Sequence, residues 1–407
     1  MTLVVQKFGG TSVANLDRIR NVARRVRRAV LGGERPVVVV SAMAGTTDQL
    51  VGWVRELGGD AYDRREYDVV VSSGEQVTAG LLAIALQAED VPARSFLGWQ
   101  TPVSTDDAHG KARIRAIDAA RVRACVEAGQ VAVVAGFQGI TDEGRVTTLG
   151  RGGSDTSAVA LAAALQAERC DIFTDVDGVY TSDPRIVTKA RKLERITYEE
   201  MLEMASLGAK VLQTRSVALA MQHNVRVQVL SSFEDRPGTL VVDEDEIVEH
   251  QLVNGIAYSR DDAKVTLVGV PDRPGVAAAI FGPLAEASIN VDMIVQNVAH
   301  DGRTTDLTFT VAKTDLAAAR DLLDGVRARL GFQRVDADPN VVKVSVIGVG
   351  MRSHAGIAQK MFATLAEKGI NIQVISTSEI KISVLIAEEY TELALRALHT
   401  AYGLDAD

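Results

Sequence analysis

A short apolar run, LVVQKF at 3–8, ends in Lys7 and Phe8 and leads through Gly9, Gly10, Thr11 and Ser12 to a helical pattern from about Asn15. Paired glycines between a strand end and a helix start let backbone N–H groups approach phosphate oxygens, and the helix N-terminus adds positive potential. Lys7 beside them can neutralise charge on a phosphoryl group in transfer. The sequence is not a Walker A loop, and a KxGG segment alone also fits a plain strand-to-helix turn. A second glycine-rich stretch, Gly150-Arg151-Gly152-Gly153-Ser154-Asp155-Thr156-Ser157, enters the Ala-rich helical pattern at 158–167. Arg151 offers a planar fork suited to a carboxylate, while Gly152, Gly153 and Ser154 offer N–H and O–H donors. Asp155 would repel a phosphate and fits better as an organiser of nearby lysines. Two such loops imply two anionic groups to be held, such as a nucleotide and a second substrate.

Other polar segments sit where α/β proteins place their sites, at strand C-terminal ends and helix starts. Ser41 to Thr47 (SAMAGTT) leaves the run 37–41, Ser72-Ser73-Gly74-Glu75 opens a helix, and Thr174 to Arg185 (TDVDGVYTSDPR) leaves the run 171–176. The elements that must position them alternate from the start to about Asp243. Short runs at 3–8, 37–41, 131–137, 171–176 and 225–230 are separated by Ala/Leu/Arg-rich helical stretches. Runs apolar on both faces suit a largely parallel sheet covered by helices on both sides.

The chain has 407 residues, 47% hydrophobic and 24% charged, a soluble globular composition long enough for roughly two to four domains. Its formal net charge of −9 argues against general nucleic-acid binding. The basic run Arg24, Arg25, Arg27 and Arg28 reads as a solvated helix face. Cys125 and Cys170 form no CxxC pair, which points to neither a disulfide framework nor a zinc site. The N-terminus enters a strand-like run at once and long uninterrupted apolar stretches are lacking, so the expected location is the cytoplasm, with no membrane partner.

The composition turns acidic at 243–251, marking a boundary near residue 250. Beyond it the chain repeats itself: KVTLVGV (264–270) matches KVSVIGV (343–349), and GVAAAIFGPLAEASINVDMI (275–294) matches GIAQKMFATLAEKGINIQVI (356–375). Each copy reads as a βαββα unit, with strands at 307–312 and 382–387 and last helices at 315–330 and 390–402. Strand 341–347 can complete one copy, and the two units side by side would form one continuous sheet with helices on one face. A purely structural duplication is the alternative.

Taken in order, KFGGTS, SAMAGTTD, SSGEQ, TLGRGGSDTSA, TDVDGVYTSDPR and GAKVLQ resemble the aspartate kinase family of the amino-acid kinase superfamily. The C-terminal repeat is similar to that family's paired ACT domains, with NVDMIVQN and STSEIKISVLI as matching pieces. The resemblance covers essentially the whole chain. It implies an α/β fold: a carbamate kinase-like α/β sandwich over 1–245, a linker over 246–262, and ferredoxin-like ACT units over 263–338 and 339–407. The implied reaction is ATP + L-aspartate giving ADP + 4-phospho-L-aspartate, the entry to lysine, threonine and methionine synthesis, with Mg²⁺ bridging ATP oxygens.

By the same resemblance Lys7 and Lys210 would stabilise the phosphoryl group and Asp155 would orient them. Phe8, Gly9, Gly10, Ser41, Thr174, Asp175, Tyr180, Asp183, Arg185 and Val211 would complete the ATP site. Glu75 would hold the α-ammonium of aspartate and Arg151 its α-carboxylate, assisted by Thr47, Gly152, Gly153 and Ser154. Gln213 stands where many relatives carry His, and Ser157 where Thr is common; both positions read as peripheral. In the repeat, the turns Asp272 to Gly275 and Ser353 to Gly356 open helices whose N-termini can receive an effector's α-carboxylate, while Asp272, Asp292, Asn290 and Asn371 can receive its α-ammonium, with Gln296, Ile372, Ser378 and Glu379 around them. The implied effectors are lysine, threonine or both, in a homo-oligomer or α2β2-type assembly through the ACT units. Two rival readings are a non-catalytic amino-acid sensor and a kinase for another carboxylate amino acid.

Overall fold

The computed structural model describes residues 2–59, 61–101, 103–208, 211–247, 251–298, 304–354 and 356–405. The chain divides into two compact units, the first made of residues 1–179, 192–206 and 210–249, the second of 180–191, 207–209 and 250–407.

The first unit begins β1 (Thr2–Phe8), α1 (Leu16–Leu31), β2 (Glu34–Val40), α2 (Thr46–Gly58), α3 (Arg64–Val71), α4 (Ser73–Ala88), β3 (Ala93–Phe96), β4 (Val103–Thr105) and β5 (Ile114–Ile117). It continues α5 (Ala120–Glu127), β6 (Val131–Ala135), β7 (Gln138–Ile140), β8 (Val146–Thr148), α6 (Gly153–Leu165), β9 (Arg169–Thr174), β10 (Arg195–Thr197), α7 (Tyr198–Ser206), α8 (Thr214–His223), β11 (Val227–Ser231) and β12 (Thr239–Val242). Eight strands form one sheet in the order β10-β12-β11-β9-β1-β2-β6-β3, parallel except for the β11–β12 pair. Val37 to Val40 are fully buried, as a central parallel strand covered on both faces requires. On one face α1 and α4 pack over Phe8, Val38, Val40 and Val133; on the other α6 packs over β1, β2 and β9 beside α8. A smaller sheet, β5-β4-β7-β8, lies in the same unit.

Register places the site. Phe8 lies opposite Val40 and Phe173, and Val40 lies opposite Ala135, so β1, β2, β6 and β9 all end at one edge of the sheet. The loops after residues 8, 40, 135 and 174 therefore leave from neighbouring points on that edge. The stacked rings of Phe8 and Phe173, 4.6 Å apart, lock β1 to β9 there. The helical stretch Arg64–Ala88, made of α3 and α4, is long and apolar enough to cross a membrane; half of its most apolar window is buried within the unit, where Leu82, Ala83 and Leu86 join the core.

The second unit carries β13 (Gly255–Ser259), β14 (Asp262–Pro271), α9 (Val276–Glu286), β15 (Val291–Val298), β16 (Thr304–Ala312), α10 (Leu316–Leu330), β17 (Arg334–Asp338), β18 (Val341–Ile347), α11 (Ile357–Glu367), β19 (Val374–Thr377), β20 (Lys381–Ala387) and α12 (Thr391–Ala401). Two separate antiparallel sheets form, β15-β16-β14-β17 and β13-β18-β20-β19, in place of the one continuous sheet expected. Each sheet has its own fourth strand. All seven residues of β18 are buried, so it needs a neighbour on both sides, and β13 supplies the second. Part of the segment expected as a linker over 246–262 is thus a strand of the second ACT-like sheet; its residues 248–250 lie outside those described. The duplication is visible in the backbone: Gly275 and Gly356 precede α9 and α11 at φ +87° and +96°, a left-handed turn that glycine adopts without steric cost.

Candidate active site

Lys7 is the penultimate residue of β1 and is nearly buried. Its Nζ lies 2.5 Å from Oδ1 of Asp155, and each side chain is 10% exposed. Asp155 reaches it because α6 begins at Gly153, five residues before the Ala-rich pattern suggested, so Ser154 and Asp155 sit in the first turn of a buried helix. The sequence reading placed Asp155 as an organiser of lysine, and the pair has that geometry.

Neighbouring turns are held close. Gly9 N–H donates to the carbonyl of Phe173 (3.2 Å) and Ser12 N–H to that of Gly9 (2.9 Å), which closes the turn after β1. Ser41 N–H donates to the Phe8 carbonyl at 3.1 Å, so the loop after β2 runs beside it. A Cβ on Gly10 would stand 3.1 Å from the Ala42 carbonyl oxygen, and one on Gly74 would stand 2.7 Å from the Ala42 Cβ. Glycine at 74 lets the start of α4 press against this loop.

That contact delivers Glu75, which is 3% exposed. Its Oε1 accepts from the Ala42 N–H at 2.9 Å, while its Oε2 is buried without a hydrogen-bond partner. A buried carboxylate oxygen without a partner is costly and invites a donor from a ligand. Burial pushes the Glu75 carboxyl up to about 7, and the Ala42 N–H offsets only part of that rise.

These groups line one cleft of about 340 Å³ in the first unit, with Lys7, Gly10, Ser41, Thr47, Glu75, Arg151, Gly152, Gly153, Ser154 and Asp155 among its walls. Arg151 is exposed and, among the described residues, has no hydrogen-bond or ion-pair partner, so its guanidinium is free to meet a ligand. The cleft thus brings together an ammonium, a guanidinium and a carboxylate with one unpaired oxygen within one small volume.

Met43, Ala44 and Gly45 of the segment 41–47 and Asp48 after it also line the cleft, as does Phe137, which the sequence reading does not single out. Phe137 holds a positive φ of 71°, rare for a non-glycine residue, and its N–H donates to Oγ of Ser157 at 3.1 Å. Ser157, read as peripheral, anchors this turn, and Gln213, read likewise, lines the cleft against Gly152. Nothing in the local sequence signals a left-handed Phe; only the end of the Val-rich run at 131–135 hints that the chain must turn there.

The nucleotide set is divided. Thr174 and Asp175 stand at the C-terminal end of β9 in the first unit, with the Thr174 hydroxyl donating to Asp175 at 3.0 Å. Tyr180, Asp183 and Arg185 belong to the second unit. There the Asp183 carboxylate accepts from the Arg185 backbone and guanidinium at 2.8–3.0 Å and from the Tyr258 hydroxyl at 3.3 Å. Lys210 lies outside the described residues; Val211 follows it, half-buried.

The effector set lies in the second unit. Asp272, Gly275, Asn290, Gln296, Asn371, Ser378 and Glu379 are exposed and Ile372 is half-buried. Asp292 is exposed too, but its carboxylate is already engaged: it accepts an ion-paired hydrogen bond from the nearly buried Lys343 at 2.9 Å, and Lys343 also meets Asp262 at 3.3 Å. The cause is packing between the two copies, since Lys343 stands on β18 and both acids belong to β14 and β15. Glu379 pairs with Arg352 at 3.5 Å.

Residues 2–231 match the amino acid kinase family, and residues 264–328 and 344–402 each match an ACT domain. An aspartate kinase of Stutzerimonas stutzeri is 57% identical over 407 residues, covering 100% of this chain and 98% of that one. The chain belongs to the aspartate kinase family. It is therefore a kinase and an enzyme. Escherichia coli aspartokinase III solved with aspartate and ADP (R-state) superposes with a TM-score of 0.83 at 30% identity, over 98% of this chain and 99% of that one. The same enzyme solved with lysine and aspartate (T-state) gives 0.77 at 30% identity, with the same coverage.

Proposed function

We propose that this kinase transfers the γ-phosphoryl group of ATP to the β-carboxylate of L-aspartate, giving ADP and 4-phospho-L-aspartate at the head of lysine, threonine and methionine synthesis. The observation that carries the reading is the buried, unpaired Oε2 of Glu75, whose residue lines the cleft together with the Lys7–Asp155 pair and Arg151. Family membership and the E. coli structure with aspartate and ADP support it.

The chemistry asks for little beyond positioning and charge. A β-carboxylate is ionised at neutral pH and needs no general base. Glu75 would receive the α-ammonium and Arg151 the α-carboxylate, leaving the β-carboxylate to face the phosphates. Lys7, held by Asp155, would meet the negative charge of the phosphoryl group in flight. Gly10 would offer a backbone donor, the Gly9 N–H being committed to the Phe173 carbonyl, with Lys210 as a second cation and Phe8, Ser41, Thr174, Asp175 and Val211 as the nucleotide's surroundings. ATP enters with Mg²⁺, a hard cation satisfied by phosphate and water oxygens. The enzyme works in the cytoplasm and assembles through its ACT units. ADP release measured with aspartate, glutamate and N-acetylglutamate tests the substrate: aspartate alone should support turnover. Turnover with none would favour the sensor reading, and preference for another acid would reassign the substrate.

A pH dependence follows from Glu75. Because its carboxyl is pushed up to about 7, the free site is protonated below that value and must lose the proton to bind an ammonium. The KM for aspartate should be nearly flat above pH 7.5 and rise toward tenfold per pH unit below 7, whereas in Glu75→Gln it should be high and flat. An unchanged wild-type KM from pH 8 to 6 would contradict the role.

For regulation, lysine or threonine binding at the ACT copies is the favoured reading, supported by the lysine-bound E. coli structure. Gln296 stands exposed on β15, so Gln296→Ala should relieve inhibition while uninhibited kcat stays within about threefold, given typical coupling of ~1–3 kcal/mol. Asp272→Ala should behave alike. Asp292→Ala should also relieve inhibition, but it strips a partner from Lys343 and should lower thermal stability as well. Rates against lysine, threonine and their mixture decide this; unaltered inhibition in all three variants would move the site elsewhere.

A further inference from the structure

The turn that carries Arg151 is anchored from behind by a buried carboxylate with no place in the chemistry above. Asp68, on α3, has no exposed surface. Four contacts from three residues converge on it: the Nδ1 of His109 at 2.7 Å, the Gly110 N–H at 3.1 Å to each oxygen, and the Thr148 hydroxyl at 2.5 Å. An ionised carboxylate accepts at both oxygens, so this set suits it, with Nδ1 the protonated nitrogen of His109.

Its partners belong to the two segments that meet at Gly150. Thr148 ends β8, two residues before Gly150, and His109 and Gly110 lie in the loop between β4 and β5. That loop abuts the turn itself, since a Cβ on Gly150 would stand 3.2 Å from the Gly110 carbonyl oxygen. Arg215 on α8 ties the same two segments again, donating to the Leu149 and Ala112 carbonyls at 2.8 Å each. The Arg151 side chain has no partner among the described residues, while the segments on which its turn rests are tied to Asp68 and Arg215.

We propose that Asp68 is the positioning residue of the Gly150–Arg151 turn, and that through this turn it sets the affinity of the site for the amino-acid substrate. The proposal rests on the reading that Arg151 holds the substrate's α-carboxylate. Asp68 touches no substrate. It holds Thr148 and Gly110 together, and so fixes where the guanidinium can reach. His109 supplies one of the donors that keep the carboxylate satisfied, and Asn at that position can supply another.

The test is a double-mutant cycle on KM with the full-length enzyme and L-aspartate. Asp68→Asn should raise the KM for aspartate about tenfold, the scale on which small misplacements of binding groups act, with the KM for ATP within twofold. In an Arg151→Ala background the same change should add less than about twofold, because the group it positions is gone. His109→Ala should copy the effect in milder form and His109→Asn should restore it. If Asp68→Asn gives no soluble protein, His109→Ala and Thr148→Val are put through the same cycle with the same expectations. Additive effects in the cycle, equal rises for both substrates, or no change in a folded variant would overturn the positioning role. If Arg151→Ala itself leaves the KM for aspartate unchanged, the reading of Arg151 fails, and the proposal built on it with it.

Discussion

Lys7→Ala should lower kcat at least 100-fold while the KM values for ATP and aspartate move little. The expectation comes from where the charge sits. Nζ of Lys7 is nearly buried, 2.5 Å from Asp155, beside the glycine turn that follows β1. Removing one such preorganised donor from a water-poor site typically costs ~2.7–4 kcal/mol of transition-state stabilisation. Lys7→Arg should not restore the rate, because the guanidinium is wider and planar and cannot reproduce a point charge held at that distance. Asp155→Asn should reduce kcat too, since it leaves the ammonium without the group that aims it. The variant loses one half of a buried pair, so its circular dichroism and melting curve should be recorded beside the rate. A folded Lys7→Ala enzyme retaining more than a tenth of wild-type kcat would remove Lys7 from the mechanism.

Glu75→Gln and Arg151→Ala should each raise the KM for aspartate by tenfold or more with the KM for ATP nearly unchanged. For Glu75 the structure adds a second signature. Burial raises its carboxyl from the ordinary 4.5 to about 7 in the folded chain, so the neutral acid is the form that folding favours. The stabilisation from this group is fully present below about pH 4.5 and is lost as pH rises through 7. Above that, the ionised carboxylate in its buried place costs on the order of 3 kcal/mol relative to the protonated acid. Gln carries no charge at any pH. Glu75→Gln should therefore melt close to wild type at pH 5 and above it at pH 8, while binding aspartate far worse. A variant that melts below wild type at pH 8, or that binds aspartate normally, would contradict the assignment.

Much of this was legible because the informative residues sit at strand ends. Central parallel strands such as 37–40 must be apolar on both faces, and the polar residue that follows each one marks the edge where ligands bind. Lys7 stands at the end of such a strand, whereas Glu75, Arg151 and Asp155 stand in glycine-containing segments that enter helices. Features that depend on distant partners were not legible. β13 is five residues long and pairs with β18, which lies some 90 residues later, so the segment reads locally as linker. The loop 180–191 reads as a continuation of the β9 motif, yet it packs within the second unit, where Thr181 bonds to the buried His399 at 2.8 Å. Asp292 looks free beside its Asn neighbour, and only the packing of β18 brings Lys343 to it. Phe137 carries no local sign of its left-handed backbone because tight packing against Gly153 and Ser157 holds it there.

In the proposed reaction the acceptor is the side-chain carboxylate of aspartate, held by its α-groups so that this end meets the phosphoryl donor. Its most direct measurement is to run the enzyme with ATP, Mg²⁺ and L-aspartate in the presence of hydroxylamine, which converts an acyl phosphate to a stable hydroxamate, and to identify the hydroxamate by mass spectrometry and chromatography against standards. The predicted result is aspartate β-hydroxamate, formed in step with ADP and abolished in Lys7→Ala. ADP release without any hydroxamate, or an α-hydroxamate in its place, would contradict the account.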